Sequence, residues 1–359
     1  MSETATRRGP SLVTVTADDA GQRLDRWFKR HYPALTHGQL EKLLRKGQVR
    51  VDGGRAKASR RLEAGEAVRV PPMGGGPAPA SQRPAAPVSA ADAAMLEELI
   101  LYEDDAVLAL NKPFGLAVQG GAKTARHLDG LLTGVQRPGL EKPRLTHRLD
   151  RDTGGVLVLA KTRRAATALT EAFRTRQVQK TYWALTAATP RPARGTIDAP
   201  IGPVGVGAGD GQKERMGVAP SEEDGEAAAR AKPAVTDYQL VDQAAERAAW
   251  LALRPRTGRT HQLRVHCAAI GAPIVGDGKY GGPRARVAGL PAKLHLFARE
   301  AAFAHPETGR PLVITAPLGG HMLESWRFFG FDPQAPIEPF PDELLAPPRA
   351  GGGGAPWRS

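Results

Sequence analysis

Residues 73–93, MGGGPAPASQRPAAPVSAADA, carry no hydrophobic period and consist largely of Pro, Gly and Ala. Such a stretch has no face to bury, so it reads as an extended, flexible linker. It forces the rest of the chain to fold around two separate cores. A small segment, 11–72, precedes it and a large one, 94–330, follows, with a short polar tail at 1–10 and a Pro/Gly-rich loose tail at 331–359. The length, 359 residues, suits one large domain plus a small tethered one. No apolar run reaches the roughly 18 residues of a membrane span. No apolar secretory segment opens the chain. A soluble, cytoplasmic protein with no membrane partner is therefore expected. The single cysteine, Cys267, excludes an internal disulfide framework and a cysteine-built zinc site.

Fifty Lys and Arg against 37 Asp and Glu leave a net charge of +13, which favours polyanionic partners. Arg-rich codon usage at solvated positions would give the same total, so the location of the charge decides. Within 11–72 it clusters. Leu24, Trp27, Phe28 and His31 recur at helical spacing, with Arg23, Arg26, Lys29 and Arg30 around the other face. Thr36 followed by Gln39 is a capping-box pattern, Leu40, Leu43 and Leu44 form a stripe, and Gly47 is placed to end the helix. Val49 and Val51 alternate before the turn Asp52-Gly53-Gly54, and Leu62, Val68 and Val70 supply a second strand region. Two short helices on a small sheet are expected. This run resembles the S4-type RNA-binding module. The resemblance implies phosphate contacts from Arg23, Lys42, Arg45, Lys46, Arg50, Lys57, Arg60 and Arg61, with roughly 0.7–0.9 of a counterion released per phosphate.

The large segment opens with a strand-like run at Val107, Leu108 and Leu110, a turn at Asn111-Lys112-Pro113-Phe114-Gly115 and a further strand from Leu116 to Val118. The stretch RLTHRLDRDTGGVLVLAKT, 144–162, holds a charged loop (Thr146 to Thr153) against the buried strand Val156–Ala160. Spacing alone leaves Asp150 open between a helix cap, an ion pair with Arg148 and chemistry. QKTYWALT, 179–186, sets Tyr182 in a strand, where a packed edge tyrosine is the plain reading. In PRTGRTHQLRVHCAAIGAPIVGDGKYGG, 255–282, His261 and His266 are five apart, which does not suit two zinc ligands on one helix face. GPVGVGAGDGQ lacks a phosphate-loop pattern, and 202–232 reads as a flexible surface insertion.

These motifs, in this order, are similar to those of the RluA family of pseudouridine synthases. The resemblance spans roughly 20–72 and 97–318. It implies that Asp150 is the catalytic aspartate and that Arg148 helps extrude the target base. Tyr182 becomes the active-site tyrosine, packing on the base and serving a late proton removal. Arg264 becomes the arginine paired with Asp150, and Leu296 an apolar wall of the uracil pocket. Gly258, Arg259 and Gln262 would shape the pocket and touch the RNA backbone. Two departures are visible: Gly154 stands where the family usually has Ser or Thr, and Phe297-Ala298 where it often has His-Ala. Shorter matches (RKGQVRVDGG, EAGEAVRVPP, NKPFGLAVQGG) resemble the RluC-like branch, with the RluD branch close behind. Both branches act on ribosomal RNA, so the implied partner is large-subunit ribosomal RNA or a pre-ribosomal particle.

The implied fold is α+β: a large, mostly antiparallel catalytic sheet with peripheral helices, an active cleft across its middle, and the small module in front. Isomerisation is redox-neutral, so neither cofactor nor metal is expected, and a monomer is expected to function. The main alternative is a non-catalytic RNA-binding ribosome-assembly factor, which leaves Asp150, Tyr182 and Arg264 unexplained. A glycosidase using Asp150 and Asp152 would need them on one strand face, about 6–7 Å apart.

Overall fold

The computed structural model describes residues 9–16, 19–33, 35–72, 88–120, 126–206, 213–218, 230–337 and 340. The chain divides into two units, Met1–Pro87 and Val88–Ser359, each with its own hydrophobic core.

The first unit contains β1 (Ser11–Thr14), α1 (Leu24–His31), α2 (His37–Arg45), β2 (Arg50–Val51), β3 (Gly54–Arg55) and β4 (Ala67–Val70). Its antiparallel sheet runs β1-β4-β2-β3. The capping box is formed: Gln39 N donates to Thr36 Oγ1 at 3.3 Å, and Thr36 N donates to Gln39 Oε1 at 2.9 Å. Asp52 (φ 48°) and Gly53 (φ 74°) supply the two left-handed residues of the tight hairpin turn between β2 and β3. Leu24, Trp27 and Phe28 pack with Leu40, Leu44, Val49, Val51, Leu62, Val68 and Val70. Several of the basic residues are engaged internally. Arg23 pairs with Asp25 at 2.7 Å, Arg60 with Glu66 at 2.7 Å, Arg61 donates to the Gly21 carbonyl, and Arg50 donates to those of Gly47 and Gly53. Lys42, Arg45, Lys46 and Lys57 stand exposed.

The second unit begins earlier than its composition suggests. Helix α3 (Ala90–Glu98) starts inside the expected linker 73–93, with Asp92 N donating to the Ser89 hydroxyl as its cap. Residues 73–87 lie outside the described residues. There follow β5 (Ile100–Glu103), β6 (Val107–Lys112), α4 (Leu128–Leu131), β7 (Arg144–Leu145), β8 (Gly154–Ala160), α5 (Arg163–Arg174), β9 (Gln179–Thr186), β10 (Arg194–Asp198), β11 (Ile201–Val206), β12 (Lys213–Val218), β13 (Val235–Ala244), β14 (Ala248–Pro255), α6 (Gln262–Ala269), β15 (Leu296–Ala304), β16 (Pro311–Thr315) and α7 (Gly320–Phe329). The main sheet runs β10-β13-β14-β9-β15-β8-β6-β5, with β16 on β15 and β7 on β8. Along this path β15 and β8 pair in parallel and each other pairing is antiparallel. This is the expected α+β architecture. One face carries Trp183, Trp250 and α7's Trp326, with the Trp183 and Trp250 ring centroids 4.7 Å apart.

Three expectations change. Leu116 to Val118 do not form a strand; the Ala117 and Val118 carbonyls instead accept from Leu128 N and Asp129 N, docking the start of α4. The expected insertion 202–232 contains the hairpin β11–β12, registered from Ile201↔Val218 to Val206↔Lys213, while 207–212 and 219–229 lie outside the described residues. Its Met216 and Ile201 pack against Val265 of α6. The first residues of the expected loose tail, from 331, are packed. Phe331 packs on Trp250 and Trp326, and Phe340 is buried with the Arg254 guanidinium 4.5 Å from its ring centre. Residues 341–359 lie outside the described residues.

Candidate active site

The loop between β7 and β8 is zipped to β8 at its start. Thr146 Oγ1 donates to the Val158 carbonyl at 2.7 Å, and Val158 N donates to His147 Nε2 at 2.9 Å. The chain then leaves the sheet, so Arg148 is exposed and Asp150 half-buried. Lys112 holds this loop, a role that the sequence reading did not give it. Its side chain is 1% exposed. Its ammonium donates to the carbonyls of Pro113 (2.9 Å), Leu116 (2.8 Å) and Arg151 (3.0 Å), tying the NKPFG turn to the residue after Asp150. Burial pushes the Lys112 pKa down to about 8, against the pull of Asp152 and Asp150.

The parallel junction needs bare backbone. Gly155 sits at φ 105°, and a Cβ there would lie 2.1 Å from the Ala298 carbonyl oxygen. At Gly154 a Cβ would meet the Phe114 ring at 2.9 Å. Phe114 also packs on Phe297, with ring centroids 5.9 Å apart. The two departures from the family pattern, Gly154 and Phe297, thus surround one aromatic ring.

The opposite wall is the segment ahead of α6. His261 takes a left-handed conformation (φ 56°) and directs the chain into the helix. Gln262, expected to shape the pocket and touch RNA, lines the cavity but is buried with its amide fully engaged. Its Oε1 accepts from Thr257 Oγ1 (2.6 Å) and Arg259 N (3.0 Å), while its Nε2 donates to the Val235 carbonyl and Thr236 Oγ1 (both 2.9 Å). Arg264, expected to pair with Asp150, forks instead onto buried Asp277, Nε to Oδ2 at 2.8 Å and Nη2 to Oδ1 at 2.7 Å. Asp277 also accepts from the backbone of Lys279 and Tyr280, so a turn thirteen residues beyond Arg264 fixes the arginine. The titratable side chain within ion-pair distance of Asp150 is His261, Nε2 to Oδ2 at 3.8 Å, while Arg264 feels the charge of Asp150 without bonding to it. The other His261 nitrogen shares a 2.6 Å hydrogen bond with Tyr280 Oη. Burial pushes the His261 pKa down although Asp150 opposes it.

Between the walls lies a cavity of about 590 Å³. Arg148, Asp150, Tyr182, Arg264 and Leu296 all line it. Leu296 opens β15 and Tyr182 lies on β9, so the cavity sits over the middle of the sheet. Side chains alternate along β9: Lys180 and Tyr182 line the cavity, while Thr181 and Trp183 line a separate cavity on the opposite face. Burial, and then the charge of Asp150, hold the Tyr182 phenol above its ordinary pKa, so it is neutral at neutral pH. Asp152 lies in a turn rather than a strand, does not line the cavity, and bonds to Arg151 at 3.2 Å, which removes the geometry a two-carboxylate glycosidase needs. Arg23, Lys42, Arg45, Lys46 and Arg50 belong to the first unit. Among the described residues, no group of three or more His, Cys, Asp and Glu is placed to hold a metal ion.

Comparison with known proteins shows the family. Residues 106–269, which include Arg148, Asp150, Tyr182 and Arg264, match the RNA pseudouridylate synthase family, and residues 22–68 match the S4 domain. The chain is 37% identical to the ribosomal large subunit pseudouridine synthase C of Pasteurella multocida over 323 residues, 87% of this chain and 91% of that one. It is 37% identical to the enzyme of the same name from Escherichia coli over 316 residues, 86% and 92% of the two chains. The solved structure of human RNA Pseudouridylate Synthase Domain Containing 4 matches with a TM-score of 0.53 at 31% identity, over 66% of this chain and 95% of that one. Sharing more than a third of its residues with such synthases over most of its length, and folding like one of them, the chain belongs to the RluA family of RNA pseudouridine synthases, RluC-like and with an N-terminal S4 domain.

Proposed function

We propose that this protein converts specific uridines of large-subunit ribosomal RNA to pseudouridine, working as a monomer in the cytoplasm. The observation that carries the reading is the convergence of Arg148, Asp150, Tyr182, Arg264 and Leu296, from four separate stretches of sequence, on one cavity. The reaction breaks the N1–C1′ bond of uridine and makes a C5–C1′ bond. A proton leaves C5 and N1 gains one, so substrate and product are isomers.

The uridine must first leave its stack, at a cost on the order of a few kcal/mol. Arg148 is exposed beside the cavity and has no ion-pair partner among the described residues, so it is free to enter the gap left by the base. The flipped uracil would lie between the Tyr182 ring and the Leu296 side chain. Asp150, held by the loop that Lys112 pins, would attack as a nucleophile or start cleavage as a base. Tyr182 is held a neutral phenol by burial and then by the Asp150 charge, and would serve as the base for a late proton removal at C5. Arg264, fixed by Asp277, contributes positive charge to the same cavity. In the first unit, Lys42, Arg45, Lys46 and Lys57 are exposed for phosphate contacts. A purely RNA-binding factor would have no use for the carboxylate and phenol in that cavity.

Pseudouridine mapping of ribosomal RNA from cells lacking the protein tests the reading. One or more modified sites should vanish, return with the wild-type chain and stay absent with Asp150→Asn, although that variant still binds RNA. Unchanged pseudouridine in the deletion strain, or full rescue by Asp150→Asn, would overturn it. Light scattering at the single-chain mass, with and without RNA, checks the monomer.

A further inference from the structure

One half-buried cationic group in the cavity has no partner among the described residues. Lys180 lies two residues before Tyr182 on β9, on the same face, and lines the same cavity. Among the described residues its ammonium has neither an ion-pair nor a hydrogen-bond partner, whereas Lys112, Lys142 and Lys161 have theirs. Its surroundings are unsuited to a bare charge. Phe173 and His147, stacked with centroids 4.1 Å apart, line the cavity with it. Burial and the Lys180 charge hold the His147 pKa down to about 3, so that imidazole is neutral. Burial alone pushes the Lys180 pKa down. An unpaired, partly desolvated ammonium is costly, and a solvated lysine or an apolar side chain would fold more cheaply at this position. The cavity, about 590 Å³, leaves room beyond a single uracil ring for the sugar and phosphate attached to it.

We propose that Lys180 is a substrate-binding residue whose ammonium takes a backbone phosphate oxygen next to the flipped uridine. The inference deepens the pseudouridine synthase reading and rests on it. Unlike the exposed cations of the first unit, this one would meet its phosphate only once the nucleotide has entered the cavity, so it would reward the flipped state rather than the RNA surface. The ammonium would donate its hydrogens to the phosphate, leaving Asp150 and Tyr182 for the base and the sugar.

The test compares wild type, Lys180→Met and Lys180→Arg on a ribosomal RNA fragment containing a mapped site. For Lys180→Met, KM should rise about ten- to one-hundred-fold, more than kcat falls. Lys180→Arg should recover most of the loss. Affinity is measured separately in an Asp150→Asn background, where no turnover occurs. There Lys180→Met should weaken binding and reduce the slope of log affinity against log salt by about 0.7–0.9. Thermal melts of Lys180→Met should be unchanged or raised, because a desolvated charge has been removed. Three results would overturn the assignment: a lowered melting temperature with unchanged affinity, meaning a packing role; a fall confined to kcat with an unchanged salt slope, meaning contact with the base; or equal loss in the Arg and Met variants. If the wild type made no pseudouridine yet the binding difference persisted, the reaction reading would fail and the phosphate contact would stand.

Discussion

Gly155 carries more of the architecture than its size suggests. The main sheet changes from antiparallel to parallel pairing where Phe297 meets Gly154 and Ala298 meets Gly155. Only a residue without a Cβ tolerates both the positive φ and the 2.1 Å approach to the Ala298 oxygen. Gly155→Ala should lower stability by about 3 kcal/mol or more, read as a fall in the urea midpoint at unchanged slope. Asp150, five residues earlier, would be displaced with it, so activity should fall at temperatures where the variant is still folded. At this scale the sequence was informative about which residues meet and less so about their partners. That Asp150, Tyr182, Arg264, Leu296 and Arg148 would meet at one cavity was legible because each lies in a short, recognisable run. That Arg264 would fork onto Asp277 was not, because the acid lies thirteen residues on and is presented by a turn whose backbone it also caps. Gln262 was misjudged for a similar reason: an amide in a polar run looks available until its four hydrogen bonds are traced.

Elements in this fold are joined by buried polar side chains as much as by apolar packing. Lys112 closes β6, and its ammonium reaches across to the loop before β8. Its pKa, about 8, lies below the ordinary 10.5, so between those values the unfolded chain binds more protons than the folded one. Its contribution to stability therefore rises with pH across that window, as the buried charge is relieved. Activity should move the other way. A neutral amine has two hydrogens for three carbonyls, so the Arg151 loop loosens, and kcat should show an alkaline limb near pH 8. A kcat profile from about pH 6 to 10, beside denaturation midpoints at the two ends, checks both signs. Lys112→Met should lack the limb and be slow throughout. Elsewhere at this scale, long hydrophobic runs such as Val156–Ala160 announced their strands, while short faces did not. Helix α3 starts among alanines that composition assigns to the linker. The β11–β12 hairpin packs through Ile201 and Met216, spaced among glycines.

The whole molecule is two cored units, and they divide the electrostatics between them. Exposed Lys42, Arg45, Lys46 and Lys57 lie in the first, while Arg148, Lys180 and Arg264 line one cavity in the second. Removing Met1–Pro87 should leave a cooperatively folding protein, because the core of the second unit draws on none of those residues. On ribosomal RNA its KM should rise and the salt dependence of binding should flatten by about 0.7–0.9 per lost phosphate contact, with residual turnover on short fragments. Filter binding across a salt series, beside single-turnover rates, measures both. The break in the sequence announced this division, but the structured ends of the second unit ran past it at both sides. Ala90, where α3 begins, and the buried Phe340 both fall in stretches whose Pro and Gly content hid them.

The alternation along β9 has a consequence for how such a chain can change over time. Lys180 and Tyr182 face one cavity and Thr181 and Trp183 the other side, so over these positions the strand is a two-sided ruler read one residue at a time. Side chains on it can be exchanged, but a one-codon insertion or deletion ahead of Lys180 would turn the ruler over. Ammonium and phenol would then be driven into the tryptophan layer, and an indole into the catalytic cleft.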